Sequence, residues 1–163
     1  MPQGTLAASL FEKLIPAVII TGLVAGTLDG LAAIINFIMQ GGKNSGVIFK
    51  YIASGVIGKD ALTGGNGMIL LGVLLHYLIA FSWTILFFWF YPTIKWLAEN
   101  KILAGLQYGI FVWAVMNLFI VPMSCISRET INISKSRVEL LILMVCIGLP
   151  ISLMANKHYL YKK

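Results

Sequence analysis

The chain has 163 residues, of which 59% are hydrophobic and 11% charged, with a formal charge of +6. An ordinary soluble domain carries about 25% charged residues, so this chain lacks the polar surface to cover a soluble globule and reads as one all-α membrane domain over residues 1–163. Its basic residues stand singly between apolar runs, without a stripe of interleaved aromatics, which sets nucleic acid aside and makes the lipid bilayer the expected partner.

Met1–Lys13 is expected as a short arm ending in an interfacial turn at Leu10–Phe11. It has one Lys and one Glu before a long apolar run. That differs from the basic start and short core of a signal peptide, so the run is read as an uncleaved span. The first span covers about 14–39, longer than the roughly 20 residues a crossing helix needs. Pro16 falls in its first turn, where a missing N–H costs little.

Within this span Gly22, Gly26 and Gly30 recur every fourth residue, and Asp29 sits among them. At about 100° per residue, Gly22, Gly26, Asp29, Ala33 and Asn36 share one face. Glycine at this spacing lets helix backbones approach closely. An acid inside a span is expensive and should face the protein interior or a wet cavity.

Residues about 46–60 carry Lys50, Lys59 and Asp60, with Ile48, Tyr51, Ile52 and Val56 at helical spacing. An amphipathic helix lying in the interface is expected there, with a re-entrant segment as the alternative. The second span covers about 68–91, with Gly72 and His76 on one stripe. Its aromatic end, Phe87–Tyr91, is expected to face lipid or the interface. The third, about 102–123, repeats the four-residue spacing at Gly105 and Gly109. The fourth, about 138–156, contains Pro150 as an expected kink. Asn132-Ile133-Ser134 forms a glycosylation triplet, meaningful only on a eukaryotic secretory route. Cys125 and Cys146 have no metal-ligand spacing and read as small apolar side chains.

Four spans make a helical bundle with one extra helix between the first two, and both termini on one side. Lys13, Lys95, Lys101, Lys157, Lys162 and Lys163 then face Lys43, Lys50, Lys59, Arg128, Lys135 and Arg137, six against six. The rule of positive loops is balanced, and the compact C-terminal cluster points to cytoplasmic termini.

The deep polar groups form a layer. Asp29 and Asn117 lie fifteen residues into the first and third spans, and His76 fifteen from the end of the second. At 1.5 Å per residue all three stand roughly 22 Å from the terminal side. Asn36 shares the Asp29 face, whereas Gln107 points away from Gly105. Apolar surroundings penalise the charged forms of a carboxyl and an imidazole, and pairing opposes that penalty. Such a pair titrates as a unit near neutral pH. The sequence thus offers Asp29, His76, Asn117 and Asn36 as a proton or substrate site, or as groups that only fix helix register. No nucleophile with a base, phosphate loop or zinc motif is visible, so no catalytic residue, metal or cofactor is assigned.

At GTLDGLAAIINF, IASGVIGKDAL and LLGVLLHYLIAFSW the chain resembles a group of small bacterial inner-membrane proteins with four expected spans and no established reaction. It is also similar, more distantly, to YagU-type proteins, which are linked with acid tolerance. The resemblance implies a bacterial inner-membrane location. Two functions are expected from all this. One is a proton-responsive centre in transport or envelope stress. The other is a structural or accessory subunit whose glycine faces (Gly22, Gly26, Gly30, Gly72, Gly105, Gly109) pack helices, including those of a second copy.

Overall fold

The computed structural model describes residues 3–125 and 133–160, with the side chains of 14–125 and 136–159. Arg128, Asn132 and the terminal Lys162 and Lys163 lie outside these, as do the side chains of Lys13 and Lys135. The described chain is all-helical: α1 (Gln3–Met39), α2 (Gly46–Ile57), α3 (Asp60–Thr63), α4 (Asn66–Phe90), α5 (Lys95–Glu99), α6 (Lys101–Val115), α7 (Val121–Met123), α8 (Ile133–Ile142) and α9 (Leu149–Leu160). A wide π turn, Met116–Ile120, joins α6 to α7, and another, Leu143–Gly148, joins α8 to α9.

Four of the resulting rods are long and apolar enough to cross a membrane: Leu14–Met39, Asn66–Phe90, Lys101–Met123 and Ser136–Tyr159. They are called here the first to fourth long helices. The expected N-terminal arm is instead helix. α1 begins at Gln3 and runs unbroken for 37 residues, because no glycine pair or proline interrupts the stretch before Pro16. Pro16 therefore lies inside the helix rather than in its first turn. It lacks the N–H that would bond the carbonyl four residues back.

The two π turns have a common chemical cause. Each ends two residues before a proline, Pro122 or Pro150. A proline leaves a carbonyl of the preceding turn without its helical N–H, and local π adjustment lets the backbone re-pair.

The first long helix packs against the second and the fourth, and the third packs against the fourth. The second and third are joined mainly by aromatic side chains. Trp83 meets Tyr108 and Phe111 edge-on, and the Tyr108 hydroxyl donates to the Trp83 carbonyl at 2.6 Å.

The core occupies the end of the bundle where Leu14, Tyr91, Lys101 and Tyr159 lie, called here the terminal end. Phe87, Phe88 and Tyr91 are buried in it, whereas Trp89 and Phe90 are exposed. The aromatic run is therefore split rather than wholly outward. Residues 84, 87, 88 and 91 form one helical stripe, and that stripe faces inward.

α2 and α3 cross the opposite, loop end. α2 rides on α4 where Gly72 meets the backbone of Phe49, and a Cβ at Gly72 would collide with the Phe49 carbonyl. At its far end the Gly55 carbonyl accepts from the Cys125 N–H at 3.0 Å. This short helix is thus strapped between the second long helix and the end of the third.

Candidate functional site

The glycines set the spacing on which the site depends. Gly22, Gly26 and Gly30 form the face of α1 that meets α4. Gly22 lies against the Phe81 ring, Gly26 against Tyr77 and Ala80, and Gly30 against His76. Without side chains at 26 and 30, the imidazole reaches the helix backbone itself. His76 Nε2 stands 2.8 Å from the Gly26 carbonyl. A carbonyl only accepts, so Nε2 carries the hydrogen and Nδ1 presents a lone pair.

Asp29 is partly buried on the same helix, within electrostatic reach of His76 on the second long helix and of Cys146 on the fourth. Among the described residues no donor hydrogen-bonds its carboxyl, and its oxygens are not sealed from solvent. The imidazole is walled by two aromatic edges, Phe49 of α2 at 6.2 Å and its neighbour Tyr77 at 5.6 Å between ring centres. A Thr27–Tyr77 hydroxyl contact of 2.9 Å ties the same two helices once more.

The two asparagines do not join the pair. Asn117 donates from Nδ2 to the Trp113 carbonyl of its own helix at 3.0 Å. Asn36 is partly buried two turns beyond Asp29, and nothing bonds its side chain to the pair. Gln107 is exposed. Among the described residues no three His, Cys, Asp or Glu side chains converge as a metal site would require.

Gly105 and Gly109 lie on the third long helix against the fourth. Gly105 meets the Gly148 carbonyl, and Gly109 meets the backbone of Met144. Gly148 is the third member of this seam, and sequence reading did not single it out. Gly22, Gly26, Gly30, Gly105 and Gly109 are all occupied within one chain, so a second copy would need another surface.

A second polar cluster, unexpected from the sequence, lies at the terminal end. Asn156 is 5% exposed and donates to the Tyr91 hydroxyl at 2.6 Å. Ser152, fully buried, donates to the Lys101 carbonyl at 2.6 Å. The Tyr159 hydroxyl donates to the Phe88 carbonyl at 3.0 Å, and its ring stacks on Tyr91. Each bond crosses between helices and uses up a backbone or hydroxyl acceptor. This cluster therefore ties neighbouring helices together at the terminal end.

The fold defines the class: an all-helical protein, over the described residues, with four helices of membrane-crossing length and apolarity. Comparison with known proteins takes the matter no further, since no family model, curated protein or solved structure matches the chain.

Proposed function

We propose that the chain is a multi-pass membrane protein of the bacterial inner membrane whose Asp29–His76 pair takes up and releases a proton, in transport or in the envelope response to acid. One observation carries the reading. The imidazole is pinned through Nε2 to the Gly26 carbonyl at 2.8 Å, leaving the Nδ1 lone pair open, and among the described residues no donor bonds the nearby Asp29 carboxyl. A pair that served only to fix register would be expected to hydrogen-bond directly and satisfy both partners. Here the carboxyl is left with spare capacity inside an apolar helix, where ionisable groups mark proton and ion sites.

The test is 15N NMR of the His76 ring in reconstituted protein carrying His158→Gln, from about pH 5 to 8, where an imidazole changes charge. We expect Nε2 to stay protonated throughout, Nδ1 to titrate, and Asp29→Asn to move the midpoint by at least about half a pH unit, roughly 0.7 kcal/mol of coupling. A ring that does not titrate, or that ignores Asp29→Asn, would leave the accessory-subunit reading. That reading draws on the backbone contacts at Gly72, Gly105, Gly109 and Gly148, which make a rigid scaffold whatever the pair does.

A further inference from the structure

We propose that the pair is a blind, one-ended site: water, and with it the hydrated proton, reaches Asp29 and His76 from the loop end of the bundle alone. The inference builds on reading the pair as a proton-binding centre and adds the route.

Ala25, Val112 and Ile147, from three different long helices, are 0%, 1% and 3% exposed and belong to the continuous core. Asp29 stands one helical turn past Ala25 towards the loop end, and Cys146 sits next to Ile147 on that same side. This layer is the floor of the site. Beneath it the terminal half is filled by buried aromatics and by the hydrogen bonds of Ser152 and Asn156, so no path leads down.

Above the floor the packing changes. No residue in 31–39, 113–123 or 136–146 is buried, although each stretch continues a helix that is buried lower down. Towards the loop end the three helices still touch, α8 meeting both α1 and α6, yet none of them buries a residue there. α2 bridges from Gly72 to Cys125, covers the side between the second and third helices, and touches α1 as well.

Two groups call for water there. The Asp29 carboxyl accepts no hydrogen bond among the described residues. The Trp113 indole N–H, one residue above Val112, is enclosed without an acceptor among the described residues. In an apolar medium each unpaired group costs roughly 1–3 kcal/mol, and a bound water supplies the missing partner. The titratable groups in electrostatic reach of Asp29 are His76 on the second long helix and Cys146 on the fourth, with Arg137 and Glu139 higher on the fourth in α8, which packs on α1. Lys50 and Tyr51 lie on α2 next to Phe49. The third helix offers none above its core-facing Tyr108.

The native thiols test this directly. Cys125 is exposed at the loop end and reports which face of a vesicle that end occupies. A charged, membrane-impermeant thiol reagent is applied to either face of oriented vesicles. The vesicles carry wild type, Cys125→Ser (Cys146 alone), or a cysteine-free chain with Ala33→Cys or Ser152→Cys. Cys146 and Ala33→Cys should be modified from the Cys125 face at least tenfold faster than from the other. Ser152→Cys, a near-isosteric change under the floor, should resist both faces. Protection of both Cys146 and Ala33→Cys from the loop face would overturn the proposal, as would modification of Ser152→Cys at a comparable rate. Labelling does not need a proton to bind. Accessible thiols with a His76 ring that never titrates would therefore retain the route and reject the proton reading, and the reverse result would do the opposite.

Discussion

The two ends of this bundle are built from the same apolar alphabet yet packed in different ways. At the terminal end four polar groups of the core are tied across helices, Asn156 to Tyr91, Ser152 to Lys101, Tyr159 to Phe88 and Tyr108 to Trp83, while the buried Thr21 and Thr84 bond back to their own helices. Towards the loop end the long helices are tied at His76 to Gly26 and Thr27 to Tyr77, Asn117 turns back on its own helix, and among the described residues no donor reaches Asp29. The difference shows what polarity does inside an apolar bundle. A polar group that finds a partner on a neighbouring helix locks two rods together. One that finds only itself, or nothing, leaves room for water and for charge to change.

The sharpest way to break this comparison is to attack the backbone seam between the third and fourth helices. Gly148→Leu would drive a side chain into the Gly105 backbone, and overpacking of this kind should cost about 3 kcal/mol or more. Gly22→Ala meets only the Phe81 ring, which can rotate away, and should cost under about 1 kcal/mol. Unfolding of reconstituted protein by titration with sodium dodecyl sulfate compares the two. Equal costs would mean that the seam is looser than the structure has it.

A middle effect is expected at the tied end. Tyr91→Phe removes the hydroxyl that accepts from Asn156 at 2.6 Å and leaves only a 3.4 Å contact to the Ala98 carbonyl. A buried amide stripped of its partner should cost about 1–2 kcal/mol in the same titration. The smallest effect is expected at the loop end, where Asn117→Ala removes a bond within one helix. A change below about 0.5 kcal/mol would agree with a locally satisfied side chain. A loss as large as that of Tyr91→Phe would show that the loop end is tied after all.

Much of the fold was legible because it follows from two periods. Long apolar runs gave the helices, and the four-residue glycine spacing marked faces without side chains. The residues that escaped did so for physical reasons. Gly148 has no glycine four residues away, so no pattern announced it. Asn156 looked like the polar end of a span and Tyr91 like an interfacial ring; only the meeting of two distant helices turns them into a buried pair. Cys146 read as a filler because nothing near it in the chain reveals that Asp29 lies opposite.

Asn117 could not be placed by counting 100° per residue from Gly109, since the π turn at Met116–Ile120 intervenes and holds more residues per turn. The helix before Phe87 and Tyr91 was clear, but an aromatic cluster near a span end fits an interface belt and a core stripe equally well until burial is known. Asp29 and His76 were visible as deep polar residues at matching depth. Their relation to the Gly26 carbonyl required the three-dimensional contact.

The glycine seam has a consequence for how this sequence can drift. Where Gly105 and Gly148 touch through their main chains, substitution is barred by shape rather than by chemistry, so polar and apolar replacements are equally excluded. Leu118, Phe119 and Ile120, all exposed at the loop end, face the contrary rule: any residue that an apolar solvent accepts will do. Random mutation would therefore leave the closed half almost unwritten and the open half heavily rewritten, with the Asp29–His76 pair at the border between the two.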